Sequence, residues 1–331
     1  MNLIVGCRKI LSGTAAGFLL FIAGCTGEPK AALRVGINAW PGHEFLYLAQ
    51  EKGFYHDEGV DVRILEFNSL SDARRAYERG QIDAFGTTVI EVLQAREFSK
   101  RSPQIVQIVD SSDGADMVIT QTAIRNAASL RGKRVGVELG SLGVYILARC
   151  LEKHGLKLSD VTTISSDQMS MERDFLDGTI DAIVTYPPTT IKLLKTQKAH
   201  PFFTTAEIPG EVLDVIAVEE EIARQRSGDV AKLIRAFHRA VDYAKQNPAD
   251  AYKIMAEREG LVPEEFAATL KDGITLISTE GQSDYFGTNG KLSRIIDATD
   301  RVLRLSSQIK GPDRRATMVN ADFSATDNAR Q

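Results

Sequence analysis

The chain has 331 residues, 43% of them hydrophobic and 25% charged, an ordinary globular composition long enough for two domains. Its 40 Lys and Arg against 44 Asp and Glu leave a net charge of −4, and no basic stripe gathers the cations, which excludes a nucleic-acid partner. Of three cysteines, Cys7 and Cys25 precede the fold and Cys150 stands alone on a helical stripe, so neither a disulfide framework nor a CxxC metal or redox motif is available.

Residues 1–24 carry Arg8 and Lys9, an apolar stretch from Ile10 to Gly24, and small residues just before Cys25. The stretch is shorter than the roughly twenty residues a membrane span needs, so it reads as an export signal. Ile22-Ala23-Gly24-Cys25 resembles the bacterial lipobox, which predicts lipidation of Cys25 and a tether over 25–32. An ordinary secretory signal with an incidental Cys, or an uncleaved anchor, is the alternative.

From Leu33 onward, short apolar runs alternate with helical patterns. "LRVGINA", "VDVRILEF", "QIDAFGT" and "QIVQIVD" read as strands. Between them lie helices at "HEFLYLAQEKG", "SLSDARRAYERG" and "TVIEVLQARE", the second with a Ser/Asp start and a Gly80 stop. This spacing predicts βαβ units and a mainly parallel sheet. After "SSDGAD" the pattern restarts with strands at "MVITQ", "KRVGVEL", "VTTIS" and "TIDAIVTY", then "HPFFTTA" and "VLDVIAVEE". The restart is visible residue by residue. Arg79-Gly80-Gln81-Ile82-Asp83-Ala84 is echoed by Asp177-Gly178-Thr179-Ile180-Asp181-Ala182, and "LRVGINAWPG" by "KRVGVELGSLG". Two echoes in the same order predict two similar lobes. The rest, from Glu219 to about Ser307, is nearly all helical pattern, and 311–331 is polar and patternless, so it is read as unstructured.

Catalytic signatures fail in turn. "HEFLY" lacks the second His of a zinc-binding HExxH helix, leaving His43-Glu44 as the start of a surface helix. "GSLG" around Ser141 has Leu139 where a nucleophile elbow has Gly. "GTNGK" is too short for a P-loop, and five scattered His make no metal cluster. No enzyme activity, metal or cofactor is expected.

"GINAWPGHEFLYLAQEKGFYHDEGVDV", "GQIDAF", "SDGAD", "LRGKRVGVELGS", "GTIDAIVTYPP" and "VLDVIAV", in this order, are similar to the nitrate/sulfonate/taurine group of ABC-transporter substrate-binding proteins and the related thiamine-precursor-binding proteins. The resemblance implies a type II periplasmic-binding fold: two α/β lobes joined by a two-strand hinge, with extra C-terminal helices. Lobe 1 would be 33–111 plus 218–307 and lobe 2 would be 117–213. A small polar solute, sulfonate- or taurine-like or another nitrogen- or sulfur-containing compound, would bind in the cleft. It would then pass to an ABC permease and ATPase, with the receptor extracytoplasmic and held at the membrane by lipidated Cys25. A sensing subunit, or an enzyme resembling the thiamine-pyrimidine synthases, is the alternative.

Ligands of such lobes sit at the carboxyl ends of strands beside helix N-termini. That rule selects Asn38, Trp40, Pro41, Gly42, Thr87, Thr88, Glu138, Gly140, Ser141 and Tyr186, with Asp113 and Asp214 at the lobe crossings. Ser141 and Thr88 suit an anionic group, or else only cap their helices. Trp40 and Tyr186 would face each other from opposite lobes. An inward Glu138 would favour an amine, amidine or hydroxyl-bearing solute over a bare anion. The alternative for the acids is that they cap turns and fix the hinge, as expected for Asp116 and Asp214.

Overall fold

In the computed structural model, residues 31–287 and 290–324 are described. The export signal, Cys25 and the last part of the tail, 325–331, lie outside them. The first half-lobe runs β1 (Leu33–Asn38), α1 (Glu44–Glu51), α2 (Phe54–Asp57), β2 (Val62–Phe67), α3 (Leu70–Glu78), β3 (Ala84–Thr88), α4 (Val89–Phe98) and β4 (Pro103–Ser112). The chain crosses at 113–116 into β5 (Met117–Gln121), α5 (Ala127–Leu130), β6 (Arg134–Val137), α6 (Leu142–Lys153), β7 (Thr162–Ser165), α7 (Gln168–Leu176), β8 (Ala182–Thr185), α8 (Thr189–Leu194) and β9 (Ala199–Thr204). It returns through 205–212 into β10 (Leu213–Glu219), α9 (Glu220–Gln225), α10 (Ser227–Gln246), α11 (Pro248–Glu259), α12 (Pro263–Asp272), β11 (Ile274–Leu276), α13 (Gln282–Phe286) and α14 (Lys291–Leu305).

The strands make a six-stranded sheet, β11-β4-β10-β3-β1-β2, and a five-stranded sheet, β7-β6-β8-β5-β9. In each sheet three parallel strands are followed by one antiparallel strand that arrives from the other lobe, β10 in the first and β5 in the second. This is the two-lobed α/β fold of periplasmic binding proteins.

The sequence echoes have a structural cause. Asp83 accepts the Arg34 backbone N–H at 2.9 Å and its guanidinium at 3.0 and 2.6 Å. Asp181 does the same for Arg134, at 2.9, 3.0 and 3.3 Å. Each Asp follows a left-handed Gly, Gly80 or Gly178, that ends the preceding helix. One residue pair thereby locks the start of a strand to its parallel neighbour in both lobes.

Helices form where a capped start meets an apolar stripe. Ser69 caps α3 by accepting the Asp72 N–H at 3.1 Å. On α10 the buried positions Val230, Leu233, Ile234, Phe237, Ala240 and Ala244 follow helical spacing, and their face covers the first sheet's core.

Three features differ from the sequence expectations. Leu213, assigned to lobe 2, begins β10, which pairs with β3 and β4 in the first sheet; only the segment up to 212 crosses. The stretch read as wholly helical contains β11, three residues too short to show alternation, hydrogen-bonded along β4. The tail read as unstructured is ordered over 311–324. Buried Arg96 donates to the carbonyls of Arg314 at 2.6 Å and Thr317 at 2.9 Å, Met318 is buried, and Ile105 bridges to Val319. Bonds to backbone carbonyls, the Arg315–Asp297 ion pair and two apolar anchors, Met318 and Phe323, hold that segment, and none of them leaves a periodic pattern.

Candidate functional site

The carboxyl end of β1 turns at Pro41-Gly42 into α1, and this turn carries the lobe 1 jaw. The Trp40 indole N–H donates to Asp110 Oδ2 at 3.1 Å. A Cβ on Gly42 would stand 1.8 Å from that carboxylate oxygen, so only glycine lets the turn close over it. His43 is wholly buried, as is Glu44, so α1 starts in the core and not at a surface. Burial pushes the His43 ring down to about 3, which leaves it neutral. Its Nδ1 lies 3.1 Å from Asn38 Oδ1 and its Nε2 lies 3.3 Å from Asp214 Oδ1. A neutral ring donates Nδ1–H to Asn38 Oδ1, whereas Nε2 is buried without a hydrogen-bond partner.

Around this jaw the crossings gather acids. Asp214 is paired in register with Asp110 on β4 and with Thr88 on β3, so three polar side chains form one row across the sheet. Asp116, on the first crossing, is buried beside them. Burial pushes Asp110 up to about 7, opposed by the Trp40 bond and reinforced by Asp116. Burial pushes Asp116 up to about 7 as well, with the charge of Glu91 adding to it. Asp214 is raised well above the carboxylate range by burial and then by the charges of Asp110, Asp116 and Glu91.

Lobe 2 supplies the opposing jaw from the ends of β6 and β8. The Tyr186 ring meets Trp40 edge to face, with centroids 6.3 Å apart and planes at 76°. Asn38, Trp40, Leu70, Asp116, Leu142, Tyr186 and Asp214 enclose a cavity with about 190 Å³ of empty space. With Trp40 and Tyr186 in ring contact across it, the jaws are shut on each other. Two carboxyl groups and two aromatic rings line it, and no Lys or Arg does. Among the described residues no group of three potential metal ligands comes together.

Of the residues expected at the site, Asn38, Trp40, Tyr186 and Asp214 line this cavity. Others stand behind it with protein partners. Thr88 caps α4, accepting the Ile90 N–H at 3.1 Å. Ser141 donates to Glu91 Oε1 at 2.7 Å, and Glu138 accepts from Ser71 of lobe 1. Gly140 adopts φ +68° and its carbonyl accepts from Arg74 at 3.2 Å. Thr87 is buried with an unpartnered hydroxyl, and Pro41 and Gly42 form the turn. Asp113 is exposed and its N–H is tied to Gly273 O at 2.8 Å, which keeps it outside the cavity. The anion seats expected at Ser141 and Thr88 both face Glu91.

The sequence reading missed Asp110, Glu91, Leu70, Leu142 and the buried His43. Asp110 and Glu91 had a usable signal, since each is an acid inside an apolar run, "QIVQIVD" and "TVIEVLQ". Cys150, which stands alone on the helical stripe of α6, is fully buried, and burial pushes its thiol up to about 12.

The profile of the NMT1/THI5-like family matches residues 40–251, and the chain belongs to that family. A binding protein of Brucella abortus is 27% identical over 316 residues, covering 86% of this chain and 96% of its relative. A 4-amino-5-hydroxymethyl-2-methylpyrimidine phosphate synthase of Saccharomyces cerevisiae is 21% identical, covering 64% of this chain and 66% of that one. Among solved structures, the alkanesulfonate-binding protein of Xanthomonas axonopodis, bound to MOPS, superposes with a TM-score of 0.74 at 20% identity, covering 88% of this chain and 99% of that one.

Proposed function

We propose that this member of the NMT1/THI5-like family is an extracytoplasmic receptor that closes its two lobes on a small solute and hands it to an ABC permease and ATPase. The reading includes export and attachment through a lipid on Cys25. The observation that carries it is the enclosed cavity at the lobe junction, lined by Trp40 and Asp214 from one lobe and Tyr186 from the other. Opening the lobes separates these walls, and a ligand touching both favours the closed state by its differential contacts.

The solute is a nitrogen base: an amine, an amidine or an aminoheterocycle with N–H donors. Asp110, Asp116 and Asp214 are buried acceptors whose ionisation is suppressed by burial and by neighbouring carboxylates. A cationic or strongly donating group relieves both penalties, and the two aromatic faces suit its flat or apolar part. A sulfonate or nitrate would add to the repulsion.

The yeast relative's name favours a second reading, an enzyme on this scaffold. Against it, the cavity walls bring together no nucleophile and base of the usual kind, and His43 is held neutral in contacts with Asn38 and Asp214.

The test is to purify the protein, release whatever small molecule it holds with acid, and identify it by mass spectrometry. A panel of nitrogen bases and a panel of sulfonates are then scored by melting temperature. The expected result is a base held near one per chain and lost in Trp40→Ala and Asp214→Ala. A sulfonate or nitrate in its place would overturn the assignment of solute class. A base retained by both variants would overturn the site.

A further inference from the structure

Each lobe sends one glutamate across the cleft onto the start of a helix in the other. Glu91, in the first turn of α4 in lobe 1, is wholly buried. Its Oε1 accepts the Leu142 N–H at 2.8 Å and the Ser141 hydroxyl at 2.7 Å, the two donors at the start of α6 in lobe 2. Its Oε2 accepts from Thr88 of its own lobe, which fixes the carboxylate in that direction. In exchange, Glu138 at the end of β6 accepts from Ser71 at the start of α3, and the Arg74 guanidinium of the same helix donates to Gly140 O at 3.2 Å. A helix start with a free N–H and a hydroxyl is where a bound anion gains most. Here that position is filled from within the protein. Beside it, Asp116 Oδ2 is buried without a hydrogen-bond partner and its residue lines the cavity, so the space next to Glu91 offers an acceptor.

We propose that Glu91 is a specificity-determining residue: on closure its carboxylate occupies the anion seat at the start of α6, so the cleft admits bases and rejects anions. This rests on the reading of the cleft as a solute site. Removing the side chain at position 91 vacates a seat built from Ser141, Leu142 N–H and Thr88, directly behind the cavity wall that Leu142 forms. A glutamine there keeps a carbonyl oxygen that accepts from the same two donors, so the seat stays filled.

The experiment compares wild type, Glu91→Ala and Glu91→Gln, titrated with sodium methanesulfonate. Emission of Trp40, the sole tryptophan of the chain and in contact with Tyr186 across the cleft, reports binding. The expected result is that Glu91→Ala binds methanesulfonate with a Kd at least about tenfold below that of wild type, while Glu91→Gln stays close to wild type. No gain in a Glu91→Ala protein that melts cooperatively would overturn the proposal, and so would an equal gain in Glu91→Gln. If Glu91→Ala fails to fold, Glu91→Ser, whose hydroxyl is too short to reach α6, is read in its place against the same criterion. Identification of the solute held by wild type is scored separately. A base bound by wild type with no gain in Glu91→Ala sinks this inference alone, whereas a sulfonate bound by wild type sinks the functional reading.

Discussion

The two lobes are built on one plan and set in different surroundings. Both begin with an Arg–Asp fork that locks the first strand to its parallel neighbour, and both place a glycine under an isoleucine beside it. A Cβ on Gly36 would stand 2.6 Å from Ile82 Cδ1, and one on Gly136 would stand 2.6 Å from Ile180 Cδ1. In lobe 1 this unit lies inside a six-stranded sheet covered by α10 and the C-terminal helices. In lobe 2 the sheet has five strands, and its edge strand β7 is mostly exposed. The repeated motif is therefore a local device for starting a parallel sheet, and what it contributes depends on what covers it. The same contrast holds at the cleft. Lobe 1 contributes the paired acids Asp110 and Asp214 on adjoining strands, whereas lobe 2 contributes Tyr186 and the crossing Glu138.

If that contrast is right, the largest effects come from the jaws. Trp40→Ala loses a buried ring and leaves Asp110 without its N–H partner, so solute affinity should fall about a hundredfold or more. Tyr186→Ala should cost about tenfold, because its residue is less completely buried than Trp40 and its loss strands no acid. Calorimetric titration with the identified solute checks both, and equal losses would erase the asymmetry.

Next come the forks. Asp83→Ala removes a mostly buried carboxylate that also accepts a backbone N–H, though Arg34 itself reaches solvent, and should cost about 1–2 kcal/mol in urea unfolding. The equivalent Asp181→Ala, at a more exposed fork, should cost about 1 kcal/mol after solvent screening. An effect of similar size is expected at the glycines. Gly36→Ala pushes on both Ile82 and the Phe67 ring and should cost about 2 kcal/mol. Gly136→Ala meets Met171 and isoleucine side chains that give way more readily, at about 1 kcal/mol.

The smallest effect on unfolding concerns pH. Asp110 and Asp116 ionise near 7 in the closed structure against 3.8 when free, so the closed form binds more protons and loses stability as pH rises from about 4 to about 7. Asp116 lines the cavity between the lobes, so opening the cleft hydrates it without unfolding either lobe, whereas Asp110 lies under Trp40 and Gly42 of its own lobe. The pH change should therefore appear partly as opening, read from Trp40 emission, and partly as a modest fall of the urea midpoint. A midpoint that rises over this range would contradict the burial of these acids.

Much of this architecture is legible in the sequence because it rests on local rules. The Gly-turn-strand echoes mark the forks, Ser69 and Thr88 mark helix starts, and Asn38, Trp40 and Tyr186 stand at strand ends where ligands bind. What is not legible depends on contacts between distant residues. Asp110 matters through its register with Asp214, more than a hundred residues away, and through Gly42 closing over it. Glu91 reads as one polar residue on an apolar helix until the other lobe supplies Ser141 and Leu142. The ordered tail depends on Arg96, whose partners lie in a segment with no pattern of its own.

The central claim is that the cleft binds a base against buried acids, and the sign of proton linkage tests it most directly. Calorimetric titration of the identified solute in two buffers of different ionisation enthalpy, across roughly pH 6 to 8, gives the number of protons exchanged on binding. The account predicts proton release and an affinity that rises with pH, because a bound cation makes Asp110, Asp116 and Asp214 ionise. Proton uptake, with an affinity that rises as pH falls, would mean that the solute needs those acids protonated, and would contradict it.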